Sequence, residues 1–493
     1  MDSPISTFFE GKCVLVTGFS GFLGKVLVAK LIKSTRVKKV YVLIRDKNGV
    51  NYKQRTIKLL SRLPFTVDKN ANVSYSDRVI PVKGDLTHTG LGIRQSELDI
   101  LKKEVSIVFH SAAEVRFNVD LSTNYVQNVE GTANLIRICR NFDNILSFVH
   151  ISSLYSAGHQ TVIEDDLKPL DFGYKEMKKC LSGDYLELND KLKEMVAKFP
   201  NSYTLTKALA EDLVLQEMGD IPTAIIRPSI VFVAVQEPAP GWGDTLQGIQ
   251  GITISATTGL LQTVNWNYWT RFEMVPVDQC ANLTIASAWY MVEKSPNKLK
   301  VINFSTGPFH PDWTFGRFFS VAREFAVKYP SSKQLRPLIV PPKIKKASIL
   351  FPVQKFIYHT LFALFLDLIF TLLGYKKILY KYACKLNEGL DHIVFFASHQ
   401  YEIKTGNYLK LVESLSPEDK RVFPCDLRNL NFIRQIRCTY FGFRKYFLGD
   451  DEANIEASRN RSKLICFVYR ATKWSFFLIL SLSIFTLYRH VIS

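Results

Sequence analysis

The residues "CVLVTGFSGFLGKVLVAKLI" (13–32) set the architecture of this chain. A short apolar run closes at Thr17–Gly18, glycines recur at 18, 21 and 24, and an apolar helical pattern starts without a gap. Such a run bounded by a turn reads as a buried strand. Glycines at that spacing let the backbone turn sharply into a helix and let a pyrophosphate approach the first helical amides. The segment therefore predicts a strand–turn–helix unit that binds a dinucleotide through Thr17, Gly18, Ser20, Gly21, Phe22, Leu23 and Gly24.

Five further apolar runs follow, with helical patterns between them: "KVYVLIR" (39–45), "VIPVKGD" (79–85), "VSIVFHSA" (105–112), "LSFVHISS" (146–153) and "PTAIIRPS" (222–229). Six strands joined by crossovers predict an α/β fold, a doubly wound parallel sheet of the Rossmann type. A break rich in Pro and Lys at "YPSSKQLRPLIVPPKIKK" (329–346) ends that pattern. The expected division is a dinucleotide-binding domain over 10–330, a basic linker over 331–355 and a smaller helical domain over 356–450. A polar linker over 451–472 and a hydrophobic C-terminal tail over 473–489 complete it.

The end of the second strand bears on cofactor choice. A carboxylate there suits the ribose hydroxyls of NAD, and a cation suits the extra phosphate of NADP. In "LIRDK" Arg45 comes first and Asp46 next, so NADPH is favoured while Asp46 keeps NAD open. Asp85, in "KGDLT" with Leu86 beside it, reads either as a hydrogen-bond partner of the adenine amine or as a helix cap.

The stretch "YTLTK" (203–207) puts Tyr203 and Lys207 four residues apart, on one helix face. Alone the pair reads as one ordinary turn of helix. Behind a nicotinamide site it gains a purpose, because hydride addition to a carbonyl leaves negative charge on oxygen that needs a proton. Tyrosine, with a pKa of about 10, serves better when a cation lowers it. A hydroxyl ending the fifth strand would polarise the carbonyl. Ser152 and Ser153 stand there, and strand alternation sends them to opposite faces, so one of the two serves.

The 493 residues exceed one compact core. A hydrophobic share of 47% excludes a largely disordered chain. The net charge of +18 calls for an anionic partner. No nucleic-acid module accompanies it, so nucleic acid is not expected. Eight scattered cysteines without a CxxC pair point to reduced thiols and no metal site. The amino terminus lacks a secretory pattern, so the sequons at Asn72, Asn282 and Asn303 carry no glycosylation meaning. Between Ser331 and Cys384 nine basic residues (333, 336, 343, 345, 346, 355, 376, 377 and 381) face one acid, Asp367. That stretch reads as a solvated basic face, or as one drawn to anionic lipid or to other phosphates. Inside it, "FIYHTLFALFLDLIFTLLGY" (356–375) carries His359 and Asp367, which suits a buried or membrane-facing helix better than a span. The tail "WSFFLILSLSIFTLY" (474–488), bracketed by Lys473 and Arg489, is short for a span of ~20 residues. Its aromatic ends and basic flanks favour a tail anchor over a helix docked on the protein.

Glycine turn, strand-five hydroxyl and "YTLTK", in that order, resemble the extended short-chain dehydrogenase/reductases. The segments "GDLTHTGLGI", "VSIVFHSAAEVRFNVDL", "NVEGTANLIRICR", "FVHISS", "IIRPSIV" and "EPAPGWGDTLQG" narrow the resemblance to the fatty acyl-CoA reductases. "HTLFALFLD" and "RNLNFIRQIRCTYFGFRKYFL" extend it over the helical domain, so it spans roughly residues 10 to 450. The resemblance implies reduction of long-chain acyl-CoA to a fatty alcohol by two NADPH, through a hemithioacetal and an aldehyde. It implies Tyr203 as acid, Lys207 as its tuner and Ser153, where members usually have Thr, as polariser. Membrane lipid is the partner expected from the basic stretch and the tail, and a tail anchor leaves the catalytic domain facing the cytosol. The short apolar stretch favours the endoplasmic reticulum, and the resemblance keeps the peroxisome open. This chain departs from the family pattern at Phe232 (usually Gly), at Asn431 (commonly Trp) and in "TISATTGLL", which lacks a lysine before its glycine. Two other readings share parts of the pattern: a membrane-bound sterol or sugar-nucleotide dehydrogenase of the same superfamily, and a non-catalytic lipid-binding scaffold.

Overall fold

The computed structural model describes residues 3–66, 75–182, 189–295, 299–340, 343, 348–451 and 454–492. Seven strands form one sheet: β1 (Cys13–Thr17), β2 (Lys39–Ile44), β3 (Val79–Lys83), β4 (Val105–His110), β5 (Ser147–Ile151), β6 (Thr223–Pro228) and β7 (Leu299–Phe304). Every neighbouring pair is parallel, in the spatial order β7-β6-β5-β4-β1-β2-β3. The order reverses beside β1, which opens a crevice at the carboxyl ends of β1 and β4. Helices cover the faces, so β1, β4, β5 and β6 are buried along their whole length, which explains their unbroken apolar runs.

All six expected strands are present, each trimmed by one to three residues at its ends, where the chain enters loops. The seventh, "LKVINF", escaped notice because Lys300 and Asn303 interrupt its apolar run. Asn303 is fully buried there, and its amide donates to the carbonyls of Glu164 (3.0 Å) and Lys404 (2.9 Å). Asn303 and Asn282 are both buried; the Asn72 sequon lies outside the described residues.

Two compact units arise, each from separate pieces of chain: residues 1–242, 273–311 and 400–431 in the first, and 243–272, 312–399 and 432–493 in the second. The sequence reading drew contiguous domains instead, because it took the Pro- and Lys-rich stretch from 329 as the boundary and kept 243–272 within the sheet domain. Described residues of the expected 331–355 linker are packed. Ser332 donates its amide (3.1 Å) and hydroxyl (2.5 Å) to Asp450, and Arg336 donates to the carbonyls of Gly259 (3.1 Å) and Leu260 (2.9 Å). Lys345 and Lys346 lie outside the described residues. The expected polar linker is helical from Ile455, within a helix that runs Ile455–Ile492. Most side chains of the 474–488 stretch lie outside the description.

Candidate active site

The site belongs to the first unit. From β1 the chain passes through Gly18, whose φ of 79° is strained for any residue with a Cβ. A Cβ there would also sit 2.6 Å from the Ala112 nitrogen. α1 (Phe22–Ser34) then starts at Gly21 without a side-chain cap. At Gly24 a Cβ would lie 2.1 Å from the Gly18 carbonyl oxygen, so this residue lets turn and helix close on each other. A tight turn ending in helix amides without a side-chain cap suits a pyrophosphate. Ser20 and Gly21 face solvent and Phe22 is half-buried, its ring 5.5 Å from Trp242, while Leu23 is buried.

Thr17 differs from its neighbours. Fully buried, its hydroxyl pairs with His110 Nδ1 (2.7 Å) and accepts from the Ala112 amide (3.2 Å). On the far side of that ring, Nε2 meets the Thr132 hydroxyl (2.9 Å), which donates to the Asn128 carbonyl (2.6 Å). Burial, with Lys207 adding to it, pushes His110 down to about 3 and keeps it neutral. The Thr17 side chain therefore ties β1 to β4, which leaves its backbone to the cofactor turn.

At the end of β2, Arg45 Nη1 donates to Asp85 Oδ2 (3.0 Å) and remains half exposed. Asp85 also accepts from the amide (3.1 Å) and hydroxyl (3.0 Å) of Thr87. Burial opposes its charge, yet Thr87 and Arg45 together hold its carboxyl below the usual range. Asp46 is engaged elsewhere, with Lys83 (2.7 Å) and the Tyr52 amide (2.7 Å). Leu86 is buried beside Gly131, and its carbonyl accepts from Asn134 (2.9 Å).

α2 (Ser202–Glu217) carries "YTLTK", started by Asn201, whose side chain accepts from the Thr204 amide at 2.9 Å. Tyr203 lies in the first turn, its ring 5.7 Å from Phe117 and its hydroxyl beside the Ser153 side chain. The two serines part as alternation requires. Ser153 faces Tyr203, while Ser152 Oγ is buried without a hydrogen-bond partner. Lys207 is buried and donates to the Ile151 carbonyl (2.6 Å), the last residue of β5.

The expected tuning of Tyr203 by Lys207 is not what the geometry delivers. Burial raises the phenol to about 12, against the lowering pull of Ser153 and with a further upward push from Glu211. Burial also lowers Lys207 to about 8, with Glu211 partly restoring it. Reading "YTLTK" alone missed the residues that surround it. Glu211, one turn beyond Lys207, forms a buried bidentate pair with Arg227 (2.9 and 2.5 Å) and accepts from Ser156 (2.7 Å). Ser156 in turn contacts the Ser153 carbonyl (2.7 Å). Asn128, in a widened helical turn over Val126–Glu130, donates to Thr206 (3.0 Å) and to the Glu114 carbonyl (3.1 Å). The signal for Glu211 was its i+4 spacing from Lys207; that for Asn128 lay in "NVEGTAN". Of the departures, Phe232 is fully buried and Asn431 is exposed.

The arrangement places a dinucleotide turn at the end of β1 and a hydroxyl–phenol–ammonium group at the end of β5, with β4 between them, which is the equipment for moving a hydride and a proton onto a carbonyl. A family model described as "Male sterility protein" matches residues 16–284, and a second of the same description matches 358–450. The chain is 30% identical to "Fatty acyl-CoA reductase wat" of Drosophila melanogaster over 99% of this chain and 94% of that one. It is 31% identical to "Fatty acyl-CoA reductase 1" of Homo sapiens over 92% of this chain and 88% of that one. Among solved structures, the terminal R domain from the myxalamid PKS-NRPS biosynthetic pathway shares the fold, with a TM-score of 0.59 at 17% identity over 91% of this chain and 96% of that one.

Proposed function

The chain belongs to the fatty acyl-CoA reductase family, and from that premise we propose that it reduces long-chain acyl-CoA to a primary alcohol with NADPH. It is an oxidoreductase with a nicotinamide-dinucleotide-binding domain. The single observation that carries the reading is Ser153, just past the end of β5, beside Tyr203, with Lys207 buried one turn further along α2.

The glycine turn and the amides of α1 would hold the pyrophosphate, and Arg45 the phosphate that distinguishes NADPH. When bound, NADPH supplies one hydride for each carbonyl reduced. Ser153 hydrogen-bonds the oxygen on which charge develops, and Tyr203 delivers the proton. A phenol near 12 keeps its proton at neutral pH, so it stays ready as an acid toward an alkoxide. Lys207 is the cation that orients this end of the site. In the first reduction the thioester carbon gains hydride, its oxygen gains a proton, and the resulting hemithioacetal breaks its C–S bond to give aldehyde and free CoA. In the second the aldehyde gains hydride and a proton to give alcohol. The same residues serve both, because each step reduces a carbonyl. The catalytic unit works on the cytosolic side of the endoplasmic reticulum or peroxisome, held by the tail over 473–489. The test is incubation of purified protein with a panel of acyl-CoAs and NADPH or NADH, with products identified by mass spectrometry. Alcohol and free CoA, formed preferentially with NADPH, are expected; oxidation of a sterol or sugar nucleotide instead would overturn the reading.

A further inference from the structure

The second unit contains a continuous 22-residue helical segment, Phe351–Leu372, which among the described residues is the one helix long and apolar enough to cross a membrane. Only 17% of its apolar window is buried. Its burial pattern is inverted relative to a helix facing water. Val353, Phe356, Leu361, Phe365, Leu368 and Leu372 are each at least half exposed and recur at helical spacing along one face. The opposite face buries His359, Ala363 and Asp367, at i, i+4 and i+8.

Those two polar residues are fixed within the unit. His359 pairs with Asn387 (2.7 Å) and accepts from the Gln262 amide (3.0 Å). Asp367 accepts from the amides of Ile378 (3.1 Å), Leu379 (3.0 Å) and Tyr380 (2.9 Å), the start of the helix Leu379–Ile393. A span would carry His359, Asp367 and these partners into hydrocarbon. A segment lying along the interface satisfies both faces: polar groups stay in protein and the apolar row enters the acyl boundary.

Charge selects the occupant. Lys343, Lys376, Lys377, Lys381 and Lys385 are exposed on this segment's flanks, and Asp367, the acid within 348–385, is buried. Exposed Tyr375, Tyr380 and Tyr382 stand among these lysines, the composition that suits a headgroup layer. We propose that Phe351–Leu372 is an interfacial docking helix that seats the second unit on an anionic phospholipid surface, separately from the C-terminal tail.

The test uses the full chain with Leu368→Cys, its thiol followed by a water-soluble maleimide and peptide mass spectrometry, and Asp99→Cys as the exposed control. Vesicles of phosphatidylcholine with phosphatidylserine should slow modification at position 368 about tenfold or more and leave position 99 unchanged. Phosphatidylcholine alone, or high salt, should weaken that protection. Phe365→Glu in the same chain should cut the protection about tenfold, the scale set by withdrawing one large apolar side chain from burial. Thiols at Ile349→Cys and Tyr375→Cys should respond alike. An unprotected thiol at 368 overturns the proposal. So do opposite responses at 349 and 375, which mean a span, and a thiol shielded before lipid is added, which means a second copy or the chain's own tail covers the face.

Discussion

Glu211→Gln is expected to move the alkaline limb of the reaction toward lower pH and to weaken the fold. The carboxylate is buried, accepts from Nε and Nη2 of Arg227 and from the Ser156 hydroxyl, and supports the charge on Lys207. Lys207 stands at about 8 because burial lowers it more than Glu211 raises it. Gln keeps the shape and removes the charge, so the raising influence goes and Arg227 is left uncompensated. A nearby opposite charge shifts a pKa by about one to three pH units. Glu211 is shared with Arg227, so the low end applies and Lys207 should fall to about 7. The protonated fraction at pH 8 then drops from about half to about a tenth, a loss of roughly fivefold in kcat/KM at that pH and less below it. Leaving one partner of a buried pair typically costs about 3–5 kcal/mol, and Gln, which retains acceptors, should sit near 3. The assay is a pH–rate profile of kcat/KM with acyl-CoA, beside urea unfolding of both proteins. An alkaline limb that does not move in a variant shown to be folded would refute the assignment of Glu211 as the support for the Lys207 charge.

Tyr203→Phe should lower alcohol formation by ~10²–10⁴-fold while NADPH binding, followed by cofactor fluorescence, stays near normal; normal turnover would remove the phenol from the chemistry. Arg45→Ala should weaken NADPH by about tenfold to a hundredfold and NADH little, because a charge-assisted hydrogen bond contributes roughly 1.5–3 kcal/mol and one cofactor alone carries the phosphate; equal losses in the two titrations would contradict it. Ending the chain near Arg470 should release part of the protein from membranes on fractionation, with the interfacial helix holding the rest. Full retention would make the tail dispensable.

Much of the sheet unit was legible because its signals are local. Parallel strands covered on both faces read as continuous apolar runs, and the glycines at 18 and 24 are demanded by close backbone approaches that no other residue permits. Alternation separated Ser152 from Ser153 once the strand end was known. β7 was hidden because Asn303 serves carbonyls that are far away in sequence, so a buried polar residue looked like a surface one. The two-unit division was hidden for the same kind of reason: residues 243–272 leave the sheet unit and 273–311 return to it, so each unit is assembled from pieces far apart in sequence. At the site, spacing placed Tyr203 and Lys207 on one face, but spacing carries no information on burial. Burial sets the direction of both shifts, upward for the phenol and downward for the ammonium, and the Glu211–Arg227 pair that modulates them closes across 16 residues between a helix and a strand.

The proposed reaction requires one site to carry out two successive carbonyl reductions on an acyl-CoA. Purified protein, a long-chain acyl-CoA and NADPH deuterated at the transferable C4 position test it directly. A fatty alcohol with two deuterium atoms on C1 is expected, with one free CoA for each alcohol formed. A singly deuterated aldehyde as the final product, or an alcohol without two deuterium atoms at C1, would contradict it.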